Sequence, residues 1–201
     1  NYGHIRKIAD KYGLWILEDG AQGFGGQIGD RKACSFGDVA TTSFFPAKPL
    51  GCYGDGGAIF TDNDEWAEKI QSLCVHGKGK NKYENIRIGM NSRLDTLQAE
   101  ILQIKLRAFH EKELAQVNIV AKVYERELSS IVKVPIVPDN YLSSWAQYTI
   151  QLYDETSRDK IISTLIAYGI PTAVYYATPL HRQKAFCGCN KISINDKLDV
   201  S

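Results

Sequence analysis

A junction near the start of the chain constrains the fold most. Ile5, Ile8, Ala9 and Tyr12 recur at helical spacing, and Gly13 follows where a left-handed residue would end a helix. Leu14-Trp15-Ile16-Leu17 then run apolar without a break, the pattern of a strand buried on both faces, and stop at Glu18-Asp19-Gly20. A helix passing through one glycine into such a strand predicts a helix–strand unit of a parallel sheet.

The stretches Val39 to Phe45 and Gly57 to Thr61 read as two more strands, separated by a loop rich in Pro and Gly. Asp62, with Glu65 three residues on, predicts the capped start of a helix through Trp66, Ile70 and Leu73. Helices and short apolar strands alternate, so the expected class is α/β. An apolar stripe through Leu94, Leu97, Ile101, Ile104 and Ala108 predicts a long helix continuing toward Leu128. Beyond Pro135 and Pro138, Ala146, Tyr148, Ile150 and Leu152 alternate as in a half-exposed strand, and a helix is expected from about Ser157 to Tyr168 and Gly169. Two domains follow from this texture: an α/β part over 1–128, including the long helix, and a smaller α+β part over 129–201.

Composition narrows the functions. The 201 residues carry 24 Lys+Arg against 23 Asp+Glu, a net charge of +1, with no long block of like charge. That argues against nucleic acid as a main partner. No apolar run approaches membrane length, so no membrane partner is expected. Five cysteines with no signal peptide ahead of them favour a reducing, cytoplasmic setting over a disulfide framework. Cys187-Gly-Cys189 is too closely spaced for a zinc knuckle, and no metal site is expected. The chain opens at Asn1 without Met and stops at Asp199-Val200-Ser201 without a helix stop, and we read it as a piece of a longer polypeptide.

Chemistry is expected at two places. Glu18-Asp19-Gly20-Ala21-Gln22 follows a buried strand, at the sheet edge where open α/β folds bind ligands. An isolated Asp there would more simply cap a turn. Thr41-Thr42-Ser43-Phe44-Phe45-Pro46-Ala47-Lys48-Pro49-Leu50-Gly51 sets a lysine in an apolar, proline-flanked segment. Such surroundings lower a lysine's pKa and free its amine as a nucleophile, although a lysine lying over apolar neighbours at the surface is the common alternative. A carboxylate, a hydroxyl and a Schiff-base lysine together are the parts that hold pyridoxal phosphate.

These stretches resemble the sugar aminotransferases of the DegT/DnrJ/StrS type, a branch of the fold-type I pyridoxal-phosphate enzymes. The likeness runs from Tyr12-Gly13-Leu14 through the Asp19 and Lys48 segments, Gly54-Asp55-Gly56-Gly57-Ala58 and Asn91-Ser92-Arg93-Leu94-Asp95 to Pro179-Leu180-His181. It implies part of a large fold-type I domain followed by part of a small α+β domain. By resemblance Lys48 forms the internal aldimine and moves the proton. Asp19 binds the pyridine nitrogen, Gln22 contacts the ring hydroxyl side, and Ser43 donates to the cofactor phosphate. Asn91 reaches the phosphate of the neighbouring subunit in a homodimer, while Arg93 and Tyr176 contact the sugar. His76 and His181 receive no role. The implied reaction moves an amino group from an amino acid, glutamate, to a nucleotide-linked keto sugar. Ser43 to Gly57 and Trp145-Ala146-Gln147-Tyr148-Thr149 look most like enzymes acting on UDP-linked 3-keto hexuronic acids for surface polysaccharide. Family members also carry a Gly/Thr phosphate-binding segment ahead of the point where this chain starts. A sugar dehydratase with histidine in place of the lysine, and a non-catalytic cofactor-binding regulator, are the rival readings.

Overall fold

The computed structural model describes residues 1–153 and 158–186. Packing divides the chain into two compact units, Asn1–Gln151 and Leu152–Ser201. The division falls later than Leu128 because Tyr141–Leu142 returns to pair with a strand of the first unit.

Helix α1 (Tyr2–Tyr12) starts on the Asn1 side chain, which accepts from His4 N, and ends at Gly13 with φ 62°. A left-handed residue there costs a side-chain-free glycine little, and its N–H closes the last turn. Strand β1 is Leu17–Asp19, later than the apolar run suggested. Leu14, Trp15 and Leu17 are exposed, whereas Ile16 and Glu18 are buried, so the expectation of a strand buried on both faces is corrected. The reason is alternation: Ile16 and Glu18 share the inward face, and Leu17 between them takes the other.

In that sheet β4 (Val39–Ser43) is central, parallel to β1 and antiparallel to β5 (Gly57–Phe60). Inward residues of β4 and the next turn alternate, with Ala40, Thr42 and Phe44 buried. A small antiparallel sheet joins β2 (Gln27–Ile28) to β3 (Arg31–Lys32) and β6 (Tyr141–Leu142). The alternating segment from Ala146 to Leu152 is not a strand. Its pairing is a single bridge between Lys133 and Gln151, because Trp145 turns with φ 50° and stacks on Tyr148.

Helix α2 (Asp64–Cys74) is capped by Asn63, whose side chain accepts from Trp66 N at 3.0 Å. The cap is therefore one residue later than Asp62, leaving Asp64 and Glu65 in the first turn, where negative charge suits the helix dipole. The long helix forms as α3 (Thr96–Ala108), a π-turn over Phe109–Glu113, and α4 (Leu114–Leu128). The extra residue in the π-turn rotates the stripe, and Phe109 enters the core with Phe44, Leu50, Cys52 and Leu102. A Cβ on Gly25, at φ 88°, would strike the Phe109 ring, which explains the glycine.

In the second unit, α5 (Arg158–Ala167) is followed by Gly169 at φ 72° and by short 3₁₀ turns at Leu180–Arg182 and Lys184–Phe186. The expected helix start at Ser157, the Cys187/Cys189 pair and the chain end lie outside the described residues.

Asp38 ties three parts of the first unit together. Its carboxylate accepts from Ile16 N at 2.7 Å and pairs with Arg6 at 3.1 Å, and its carbonyl accepts from Thr61 Oγ1. The Ile16 N–H, and after it the Arg6 guanidinium, hold the Asp38 carboxyl below its ordinary value. A depressed carboxylate stabilises the fold fully above its unfolded value, about 3.9, and loses that contribution as pH falls through its folded value. Asp38→Asn should therefore lower the urea midpoint at pH 7, with the gap to wild type closing as pH drops below about 4. A gap that stays constant over that range would count against the charge.

Candidate active site

The parallel register of β1 on β4 builds the site. Leu17, Glu18 and Asp19 lie opposite Val39, Ala40 and Thr41, so Asp19 ends one strand as β4 runs on to Ser43. Gly20 N donates to Thr41 O at 2.8 Å, and Thr42 Oγ1 donates to Gly20 O at 3.0 Å. The carboxyl ends of two parallel strands thus present Asp19 and Ser43 along one edge. Asp19 Oδ1 accepts from Ala21 N at 3.0 Å, so the aspartate does cap its turn. That bond uses one oxygen and leaves Oδ2 without a hydrogen-bond partner among the described residues. Gln22 is exposed, and its carbonyl accepts from buried Ser144 at 3.4 Å.

Ser43 Oγ accepts from Phe45 N at 3.2 Å, turning the chain out of β4. The loop that follows is fastened at its base by Phe44 N to Gly56 O and by Cys52 N to Phe44 O. Cys52 is fully buried and donates its Sγ–H to Phe44 O at 3.0 Å. At Gly51 a Cβ would come within 2.6 Å of Pro46 O, so only glycine lets the two arms of the loop approach. Lys48 sits in the turn between these arms, half-buried, its N–H donating to Phe45 O at 2.9 Å. It borders a cavity of about 160 Å³ walled largely by Pro49, Phe109, Val117 and Trp145, with Glu113 and Ser144 as polar members. The Trp145 side of that cavity is held by Asn118, which accepts from the indole N–H and donates to the carbonyls of Leu114 and Ser143.

The other expected residues stand apart. Asn91 is exposed, in a loop folded back on the end of α2 through Met90 N to Leu73 O and Ser92 N to Cys74 O. Asp95 rather than Asn91 occupies the N-cap position of α3, and the Asn91 side chain has no hydrogen-bond partner among the described residues. Arg93 is exposed and lines an open groove along β5 and α2, a different cavity from the one at Lys48. Tyr176 belongs to the second unit and is exposed. Two contributors escaped the sequence reading. Glu18 is one, although the strand period that places Ile16 inward places Glu18 on the same face. The Asn118–Trp145 bond is the other, and it joins residues too far apart in sequence to be paired by pattern.

The sequence profile of the DegT/DnrJ/EryC1/StrS aminotransferase family matches residues 1–194. The chain belongs to that family. It is 44% identical over 199 residues to the UDP-2-acetamido-2-deoxy-3-oxo-D-glucuronate aminotransferase of Pseudomonas aeruginosa, a match covering 98% of this chain and 54% of that protein. The crystal structure of a DegT DnrJ EryC1 StrS aminotransferase from Brucella abortus superposes with a TM-score of 0.87 at 46% identity, over 92% of this chain and 49% of the other. The structure of NtdA from Bacillus subtilis, solved with the cofactor PMP bound, superposes with a TM-score of 0.81 at 31% identity, over 92% and 42%. The chain spans about half the length of the family members it matches. Among the described residues no helix is long and apolar enough to cross a membrane, and no group of three or more His, Cys, Asp or Glu is placed to hold a metal ion.

The donor set suits the family's cofactor, pyridoxal phosphate. An acceptor oxygen on Asp19 matches a protonated ring nitrogen, a lysine amine matches an aldehyde, and the Ser43 hydroxyl matches a phosphate oxygen.

Proposed function

We propose that the intact protein is a pyridoxal-phosphate-dependent aminotransferase that moves an amino group from glutamate to a nucleotide-linked keto sugar, acting in the cytoplasm in polysaccharide synthesis. The observation that carries this reading is the β1–β4 register, which sends Asp19, Ser43 and the Lys48 loop out of the same end of one sheet. The Pseudomonas relative supports a UDP-linked 3-keto hexuronic acid as the sugar. When bound, pyridoxal phosphate supplies an electron sink for the substrate carbon. The Asp19 carboxylate keeps the ring nitrogen protonated, and the rigid Ala21 turn aims it. The Ser43 hydroxyl donates to the phosphate, and Gln22 flanks the ring hydroxyl. Lys48 would hold the cofactor at its aldehyde, and its Nζ amine would be the group placed to carry a proton between substrate and cofactor carbons. Arg93 and Tyr176 contact the sugar. The protein works as a homodimer in which Asn91 completes the neighbouring subunit's phosphate site, since its loop is fastened by backbone bonds while its side chain stays unengaged.

Borohydride reduction of the cofactor-loaded intact protein, followed by peptide mapping, tests the assignment. The pyridoxyl mass should fall on the peptide carrying Lys48. A label on another lysine would overturn the Lys48 assignment, and bound cofactor with no label would overturn it and favour the dehydratase or regulator reading.

A further inference from the structure

Glu18 is only 3% exposed, yet it lies beside Asp19 in the strand. Its carboxylate faces the loop between β3 and β4 and accepts three backbone N–H groups, from Cys34 at 2.6 Å, Phe36 at 2.7 Å and Gly37 at 3.2 Å. A buried carboxylate is tolerated only with such partners, and charge-assisted bonds to backbone N–H groups are short and directional. They hold Cys34 at φ 71°, a left-handed conformation that a residue with a Cβ adopts only when its surroundings impose it. In that conformation Cys34 Sγ lies behind Gly20, where a Cβ on the glycine would collide with it. Burial, with the Glu18 carboxylate beside it, pushes the Cys34 thiol up, so a neutral sulfur packs against the strand end. Gly20 is thus held by the Thr41 and Thr42 bonds and packed against Cys34.

We infer that Glu18 is a positioning residue for the cofactor site, fixing through Cys34 and Gly20 the strand end from which Asp19 projects. The inference rests on the proposed pairing of Asp19 with the cofactor ring. Glu18 touches no reacting atom: successive strand residues point to opposite faces, so its carboxylate turns inward while Asp19 turns outward. A glutamine at this position has a single acceptor oxygen and cannot satisfy Cys34 together with Phe36 and Gly37. The loop then loses one anchor, Cys34 can relax from its left-handed conformation, and Gly20 loses its backing.

The test is a double-mutant cycle read by titrating the intact apoprotein with pyridoxal phosphate, alongside its thermal midpoint without cofactor. Glu18→Gln should weaken cofactor binding about tenfold when Asp19 is present, and no more than about twofold in the Asp19→Asn background, because coupled residues are not additive. Gly20→Ala, which pushes on the same contact with Glu18 intact, should show the same dependence on Asp19 and serves as the readout where Glu18→Gln does not fold. Equal losses in both backgrounds, tracking only a lower midpoint, would make Glu18 a general stabiliser and overturn the inference. If Asp19→Asn alone weakens binding while Glu18→Gln and Gly20→Ala leave it unchanged, the inference fails and the Asp19 pairing stands. If Asp19→Asn leaves binding untouched, the pairing itself fails and the inference falls with it.

Discussion

Replacing Lys48 by alanine in the intact protein should abolish transamination while the protein keeps its fold. The backbone around Lys48 does not depend on its side chain: the turn is closed by its own N–H to Phe45 O, and the loop base by Phe44, Cys52 and Gly56. The core beneath, Phe44, Leu50, Cys52, Leu102 and Phe109, is untouched by the substitution. In the role proposed for Lys48, loss of the amine would remove two contributions at once, covalent attachment of the cofactor and the positioned proton carrier. Acid–base catalysis alone is worth about 10²–10⁴ in rate, so the combined loss should be several orders of magnitude. Single-turnover kinetics and circular dichroism on the same preparation check both halves of the expectation. Turnover retained within tenfold of wild type would remove Lys48 from the chemistry. An added small amine should restore part of the rate if the missing group is a proton carrier and the cavity admits it.

How much of this site could be read from the sequence depends on how local each part is. The strand end at Asp19 and the lysine turn are signalled by neighbouring residues, an apolar run broken by acids and a lysine between prolines, and both lie where those signals put them. The α1 stop at Gly13 was equally legible, because a left-handed cap is a property of one residue. The inward acid was harder. Glu18 alternates with Ile16, but an acid on an apolar face makes sense only once three N–H groups from another loop are seen to reach it. Leu14, Trp15 and Leu17 misled for the opposite reason: continuous hydrophobicity implies burial on both faces only where a packed layer covers each face, and these three side chains stay exposed. The alternation after Ala146 has the period of a strand without its ladder, since period reports which side chains face inward and says nothing about a backbone partner. The π-turn at Phe109 has no local signal at all, and it matters because it delivers the ring to the core under Gly25 and to the wall of the Lys48 cavity.

Mixing inactive Lys48→Ala and Asn91→Ala subunits of the intact protein should bring activity back. The loop around Asn91 is pinned by three backbone bonds, Met90 N to Leu73 O, Ser92 N to Cys74 O and His76 N to Met90 O, yet the amide itself is exposed and unbonded among the described residues. A fixed backbone with an unengaged side chain is what a group reaching another chain requires, and capping of α3, the intrachain use for such an Asn, belongs by position to Asp95. In a two-fold dimer each site then takes Lys48 from one subunit and Asn91 from the other. A mixed dimer concentrates both lesions in one site and leaves the second intact. Random exchange makes half the dimers mixed, so about a quarter of all sites should be restored, and the recovered rate should approach about a quarter of wild type at equal mixing. Tagging the two subunits differently and isolating the hybrid raises the expected figure to about half. If purified hybrids remain as inactive as their parents, Asn91 acts within its own chain and the shared site is wrong.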